Sequence, residues 1–187
     1  GEFELEVSGE YNDEGLNWAV KENLQLPRKL EQNSGLYWDG DASAEGILWG
    51  GCVESLIFQS ATAKYLPSDD DLDGTILFIE TAEDIPEQWI IEYLLTGFGE
   101  RGWFDKFRGV LVGRPKAWEF NKQHDAEWKA AYSQAQRDTV LRVVRQYNST
   151  IPVVQNLDFG HTDPQIAMPS GNRARIDSDT KKIYLTY

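Results

Sequence analysis

Three short runs of mainly apolar residues, each about as long as a β-strand, most constrain the fold of this chain. The runs cover residues 75–79, 107–113 and 151–154. Their β-branched and aromatic residues, and the glycines or turns that flank them, are typical of buried strands. A helix that begins at residues 81–84, and a long amphipathic helix over 122–147, separate the three runs. This succession of strands and helices predicts an α/β fold.

Weaker patterns complete the secondary structure. Residues 46–51 contain three glycines and lead into a helix whose apolar positions are Val53, Leu56 and Ile57. Further strands are predicted at residues 3–7, 36–38, 174–177 and 182–187, and the last two are expected to form a hairpin.

Composition narrows the classes of function. The 187 residues suffice for one sizeable domain, and 41% hydrophobic content supports a real core. The formal charge of −13 argues against nucleic acid as a partner and against an anionic membrane surface. No segment has the length and hydropathy of a membrane span. Cys52 is the only cysteine, so no internal disulfide and no cysteine metal cluster can form, which fits the cytoplasm.

One acidic segment matches the spacing of a calcium-binding EF-hand loop. The matching residues are Asp69, Asp71, Asp73, Gly74 and Glu80. However, the second half of this loop, residues 75–79, is a predicted buried strand, and Pro67 precedes the loop where a helix would be required. The preferred interpretation is an acidic turn over 68–74 that leads into a central strand, with calcium binding kept as the alternative.

Two strand ends carry side chains suited to acid–base chemistry. His161 follows the strand at 151–154 and comes directly after a glycine, a position where catalysis often places a titratable group. Glu80 ends the apolar run at 75–79, and a carboxylate there needs either water or a partner. A histidine is a natural partner, because the carboxylate fixes its tautomer. The alternatives are an ordinary surface histidine and a glutamate that caps the next helix. His124, at the polar start of the long helix, is interpreted as a solvated surface residue.

Trp18 and Trp38 lie in segments rich in polar and turn-forming residues. Large flat rings in loops can stack on ligands, although they can equally cover the edge of a core. A non-enzymatic binding domain that uses these two rings, together with the acidic calcium loop, is therefore the rival hypothesis.

Several segments together resemble the C-terminal domain of the LD-carboxypeptidase family of serine peptidases. They occur in the order expected for that family, and the resemblance covers nearly the whole chain. The segments are residues 46–51, 74–80, 109–113, 156–161 and 168–171. Residues 160–164 with Met168-Pro169, and the stretch 12–18, are more similar to the microcin C immunity branch than to the murein-recycling branch.

The resemblance implies a Ser–Glu–His catalytic triad, with the glutamate at Glu80 and the histidine at His161. It also implies that Trp18 stacks on the nucleobase of a substrate. The expected fold is a swivelling β/β/α arrangement with a mixed sheet and flanking helices. The expected protein is a cytoplasmic homodimer without metal or cofactor. Its expected substrates are a peptidyl-nucleotide antibiotic or an L,D-amide of a murein peptide.

The sequence also departs from the family pattern. Cys52 follows the double glycine where the family usually has asparagine, Ser170 replaces an aliphatic residue, and the segment between Gly113 and Tyr147 is longer than in the murein enzymes. No serine lies in a G-x-S-x-G-like turn. The chain also does not begin with methionine. We therefore expect residues 1–187 to be one domain, the C-terminal part of a two-domain peptidase, inactive without the N-terminal domain that carries the serine.

Overall fold

A computed structural model describes residues 1–187, which form ten strands and four α-helices. The strands are β1 (Glu2–Glu4), β2 (Glu10–Tyr11), β3 (Glu31–Gln32), β4 (Tyr37–Asp39), β5 (Ala44–Cys52), β6 (Ile76–Glu80), β7 (Gly109–Gly113), β8 (Val153–Leu157), β9 (Arg173–Asp177) and β10 (Lys182–Thr186). The helices are α1 (Val53–Thr62), α2 (Asp69–Leu72), α3 (Gln88–Glu100) and α4 (Ala126–Tyr147), with 3-10 turns at Lys21–Gln25 and Trp103–Asp105.

Eight of the strands form one mixed sheet in the order β1-β10-β9-β5-β6-β7-β8-β4. The four central strands, β5 to β8, are parallel to one another, and the outer strands pair antiparallel. Strands β2 and β3 form a separate two-stranded sheet. The predicted α/β class with a mixed sheet and flanking helices is confirmed. The carboxyl ends of the parallel strands meet at one edge of the sheet, which positions the site described below.

The central strands are apolar throughout because each face of the sheet is covered. In β6, Leu77 and Ile79 belong to a cluster of 19 buried residues shared with the helices. Ile76 and Phe78, which point to the opposite face, belong to a second cluster of 12. The sheet curls so that residues of β9 and β10 cover this second face. Alternate residues of one strand therefore enter different cores, which explains the unbroken apolar run.

Helix α3 begins later than predicted. It starts at Gln88, and residues 81–87 form a loop rather than the first turns of the helix. Ile85 has a positive φ of 48°, and it precedes Pro86. A residue before proline is disfavoured in the helical conformation, so the chain cannot enter a helix at this point.

Helix α3 also continues past the glycines that were expected to end it, and stops at Glu100. A Cβ atom on Gly99 would lie 2.3 Å from the ring of Tyr147 in α4. This glycine therefore allows the two helices to pack closely and does not act as a stop signal.

The other boundaries shift by a few residues. The strand predicted at 3–7 is confined to Glu2–Glu4, and α4 begins at Ala126, where the Asp125 carboxylate accepts from the Trp128 backbone N–H at 2.8 Å. The glycine-rich segment before α1 is part of β5. A Cβ on Gly50 would lie 1.8 Å from the Phe78 carbonyl oxygen, so glycine is needed where β5 approaches β6. No helix has the length and apolar character that crossing a membrane requires.

The acidic segment before β6 is a capped helical turn. The Ser68 side chain accepts from the Asp71 backbone N–H at 3.2 Å, and the Asp71 carboxylate accepts from Ser68 in return, which forms a capping box. The strand that follows, β6, has five residues and is roughly 16 Å long. It therefore places Glu80 at the edge of the sheet opposite to the acidic turn. These side chains cannot surround one cation, so the calcium-loop alternative is wrong.

Candidate active site

Glu80 and His161 meet at the carboxyl edge of the parallel strands. Glu80 is the last residue of β6, and His161 lies four residues beyond the end of β8 at Leu157. Strand β7 lies between these two strands. The Nδ1 atom of His161 nevertheless lies 2.8 Å from Oε2 of Glu80. The loop after β8 must therefore pass over the end of β7 to reach β6.

Two glycines make this passage possible. A Cβ on Gly113, the last residue of β7, would lie 2.4 Å from the Phe159 carbonyl oxygen and 2.9 Å from Cβ of Glu80. Gly160 has a φ of +104°, and a Cβ there would lie 2.9 Å from Oε2 of Glu80. Side chains at either position would occupy the space of the loop or of the glutamate. The glycine before His161 is thus a steric requirement of the contact.

A buried ionic network holds the same loop from the β8 side. Nη2 of Arg114 donates to Oδ1 of Asp158 at 2.5 Å, and the two side chains are only 4% and 2% exposed. Arg114 also donates to the side-chain oxygens of Asn156 at 3.2 Å and Thr162 at 3.3 Å. The second oxygen of Asp158 accepts from the backbone N–H and the hydroxyl of Ser8. Because both charges are paired and hydrogen-bonded, their burial is tolerated.

Both ring nitrogens of His161 face acceptors. Nδ1 lies between the Glu80 carboxylate and the Thr81 carbonyl oxygen, the latter at 3.2 Å. Both are acceptors, so Nδ1 donates a proton to them. Nε2 lies 3.0 Å from Oε2 of Glu83, in the loop before α3. The imidazole is 35% exposed, and Glu80 fixes its tautomer through Nδ1, so Nε2 is the nitrogen that can exchange a proton with a reacting group once the Glu83 carboxylate, which is 55% exposed, moves away from it.

Burial raises the pKa of Glu80 above its ordinary value, and hydrogen bonds from His161 and Cys52 oppose that rise. The side chain is 12% exposed. Each hydrogen bond that a carboxylate accepts in this position stabilises its ionised form, and a positively charged imidazole stabilises it most. Glu80 is therefore suited to hold and orient His161 and to stabilise its protonated form.

Cys52 lies beside this pair but is not suited to be a nucleophile. Burial, followed by its bond to Glu54 and the charge of Glu80, raises the pKa of the Cys52 thiol to about 11. The thiol lies 3.1 Å from Oε2 of Glu54, and the same oxygen accepts from the backbone N–H of Ala82 at 3.1 Å. Since the thiolate is the reactive form, the structure makes Cys52 a contact in the wall of the site rather than its reactive group.

Comparison with known proteins identifies the family. The model of the LD-carboxypeptidase C-terminal domain matches residues 45–176, which include Glu80 and His161. The chain belongs to the LD-carboxypeptidase family. The microcin C7 self-immunity protein MccF of Escherichia coli is 28% identical over 188 residues, which cover 100% of this chain and 49% of MccF. This chain therefore spans about half the length of that relative.

Solved structures of related proteins share the fold over the whole chain. An MccF-like protein from Streptococcus pneumoniae, solved in complex with AMP, aligns with a TM-score of 0.78 at 26% identity and covers 100% of this chain and 53% of its own. MccF in complex with glutamyl sulfamoyl guanosine aligns with a TM-score of 0.77 at 24% identity and covers 100% and 50% respectively. The second likeness supports the fold alone.

The two tryptophans of the sequence-based hypotheses differ in the structure. Trp18 is 77% exposed, and it lies in the segment after Asn12. Reciprocal backbone hydrogen bonds of 2.8 Å join Asn12 to Asp163, two residues beyond His161. Trp38 instead packs half-buried against the second core cluster, with Nζ of Lys181 5.1 Å from its ring centroid. The hypothesis that both rings form an open stacking platform is therefore wrong for Trp38.

The prediction for His124 is wrong. Its side chain is only 6% exposed, and its Nε2 lies 2.8 Å from Oε1 of Glu119. The imidazole also stacks on Trp128 with ring centroids 3.6 Å apart. The histidine is part of the packing at the start of α4, because Trp128 in the first turn of that helix presents its ring to it.

Sequence reasoning missed several residues of the site. Arg114 directly follows a buried strand, and a charged residue in that position was a signal for this edge of the sheet. Asp158 follows β8 in the same way. Glu83 gave no signal, because the residues around it were interpreted as the start of a helix.

Proposed function

We propose that this chain supplies the acid–base part of a Ser–Glu–His active site, with Glu80 and His161 as catalytic residues. The nucleophilic serine would lie in an N-terminal domain of the same protein. The observation that carries the proposal is the contact of 2.8 Å between His161 and Glu80, whose side chain is only 12% exposed. Membership of the LD-carboxypeptidase family supports it, as does a chain that covers 49% of MccF.

In the proposed reaction, Nε2 of His161 accepts the proton of the serine hydroxyl while the serine oxygen attacks the carbonyl carbon of an amide. The imidazolium then donates this proton to the leaving nitrogen as the carbon–nitrogen bond breaks. A water molecule, deprotonated by Nε2, attacks the resulting ester, and the serine regains its proton. Throughout, Glu80 accepts from Nδ1 and stabilises the positive imidazolium.

Two substrate classes fit the proposal. The MccF-like protein from Streptococcus pneumoniae was solved in complex with AMP, which favours a peptidyl nucleotide. Trp18 is the candidate ring for stacking on the nucleobase, because it is exposed and its segment is joined to the loop of His161. An L,D-amide of a murein peptide is the second class. We further propose a cytoplasmic homodimer that needs no metal or cofactor.

The test is amide hydrolysis by the full-length protein that contains this chain, assayed on both substrate classes. His161→Ala should lower kcat by about 10⁴-fold or more, because members of a triad act as a unit. His124→Gln is the matched control, since it alters the other histidine outside the site, and it should retain most of the activity. If His161→Ala kept its activity within tenfold of wild type, the proposed mechanism would be refuted.

A further inference from the structure

One peptide group beside His161 makes hydrogen bonds on both of its sides. The carbonyl oxygen of Thr81 accepts from Nδ1 of His161 at 3.2 Å. The N–H of the same peptide group, which belongs to Ala82, donates to Oε2 of Glu54 at 3.1 Å. Thr81 is only 5% exposed, so water has little access to this peptide group. The carboxylate of Glu54 is therefore joined to the imidazole through a single peptide group.

The start of α1 places Glu54 in this position. Cys52, the last residue of β5, pairs in register with Glu80 of β6, and Glu54 follows two residues later in the first turn of α1. A carboxylate in the first turn of a helix is stabilised by the helix dipole. Oε2 also accepts from the Cys52 thiol at 3.1 Å, whereas the other oxygen, Oε1, is buried without a partner. The hydrogen bonds of this side chain thus all involve the oxygen that holds Ala82.

The bond between Glu54 and Ala82 strengthens the contact with His161 in two ways. Hydrogen bonds in a chain polarise one another, so a carboxylate that accepts from the N–H makes the Thr81 carbonyl oxygen a better acceptor for Nδ1. The bond also fixes the plane of the peptide group, because that group then has a partner on each side. With Oε2 of Glu80 at 2.8 Å and the Thr81 oxygen at 3.2 Å, Nδ1 has two fixed acceptors. Two acceptors restrict rotation of the ring, and with it the direction of Nε2, more than one acceptor does.

We propose that Glu54 is a positioning residue, which acts on His161 through the Thr81–Ala82 peptide group and does not touch the reacting atoms. The inference rests on the proposed function and adds a residue to the same site. Glu80 orients the imidazole directly, and Glu54 orients it from the start of α1. Removal of the Glu54 carboxylate leaves the Ala82 N–H without its partner and lets the peptide group turn away from Nδ1, so that Nε2 is no longer aimed at the serine.

The test uses two substitutions of Glu54 in the full-length protein. Glu54→Gln keeps an oxygen for the Ala82 N–H, and its amide nitrogen can take the place of Oε1, which has no partner to lose. Glu54→Ala removes the acceptor. We expect Glu54→Ala to lower kcat about tenfold to a hundredfold with KM within about threefold of wild type, and Glu54→Gln to keep kcat within about threefold. Glu87→Ala is the matched control, because Glu87 is an exposed carboxylate at the end of the same loop without a capping hydrogen bond, and it should keep the wild-type kcat.

Two further measurements distinguish positioning from a general loss of structure. The downfield ¹H NMR signal of the Nδ1 proton should shift or broaden in Glu54→Ala and remain in Glu54→Gln. In the His161→Ala background, Glu54→Ala should lower kcat no further, because its effect passes through the imidazole. If no substrate is hydrolysed but the Nδ1 signal responds in this way, the proposed function fails and the positioning role of Glu54 stands. A wild-type kcat or a wild-type Nδ1 signal in Glu54→Ala would overturn the inference, as would equal losses of kcat in the two Glu54 variants.

Discussion

Gly160→Ala is the substitution that most directly tests how the site is built. The contact between Glu80 and His161 depends on a loop that passes over the end of β7 without a side chain at this position. A methyl group at Gly160 would lie 2.9 Å from Oε2, 3.0 Å from Cβ and 3.3 Å from Cγ of Glu80. The contact with Oε2 is closer than real Cβ atoms approach, and the two carbon contacts are tighter than most, so either the loop or the glutamate must move.

Two effects add to give the expected loss of stability. The backbone φ of +104° at Gly160 is unfavourable for alanine by about 1–3 kcal/mol. Overpacking against Glu80 contributes a further 1–3 kcal/mol or so. Gly171→Ala is the matched control, because its φ of +82° imposes backbone strain while nothing lies within 4 Å of its added Cβ. The difference between the two variants therefore isolates the steric contact with Glu80.

The free energies of unfolding would be measured by urea denaturation with tryptophan fluorescence. Long-range ¹H–¹⁵N NMR spectra would report whether Nδ1 of His161 still carries the proton donated to Glu80. We expect Gly160→Ala to lose about 2–6 kcal/mol and the Nδ1 hydrogen bond, whereas Gly171→Ala keeps that bond. Adding Glu80→Ala to Gly160→Ala should recover part of the loss, since it removes two of the three close contacts. An equal loss in both glycine variants, with the histidine spectrum unchanged, would refute this account.

Two further predictions follow from the pKa shifts. Burial raises the pKa of Glu80, so the ionised folded form is disfavoured relative to the unfolded chain, and wild-type stability falls as pH rises through that pKa. Glu80→Gln removes this dependence, and its stability relative to wild type should therefore increase between pH 4 and pH 7 in urea denaturation; a decrease would contradict the assignment. The pKa of Cys52, about 11, predicts that iodoacetamide alkylates this thiol at pH 8 roughly 100-fold more slowly than a cysteine in an unstructured peptide. A rate near that of the peptide would show that the thiol is not held as the structure describes.

Sequence reasoning recovered the parts of the structure that depend on local pattern. The apolar runs of β6 and β8 predicted where Glu80 and His161 would emerge, because strands covered on both faces leave an unbroken signal. The loop at 81–87 was missed, since its Thr-Ala-Glu-Asp start is also a helix-start signal and only Pro86 argued against it. The contact between Glu83 and Nε2 of His161 depends on the conformation of that loop, so it could not be predicted from the sequence.

The partners of Arg114 lie far from it in the chain, and this explains why its role could not be predicted. The carboxylate of Asp158 is 44 residues away, and Ser8 binds that carboxylate from 150 residues away. A lone arginine after a strand indicates only that the strand has ended. Its burial becomes favourable when the chain has folded and both partners are in place.

The two supports of the His161 loop act from opposite sides and serve one purpose. On one side, Arg114 holds Asp158, three residues before the histidine, in a network that would leave an unpaired buried charge if either partner were removed. On the other side, Gly160 lets the loop lie directly against Glu80. In the proposed triad the serine comes from another domain. Docking of that domain would place the serine but would not also correct the position of a mobile imidazole. The loop must therefore be set before the proposed serine arrives, and a precise, costly arrangement around a half-exposed histidine is what such preorganisation requires.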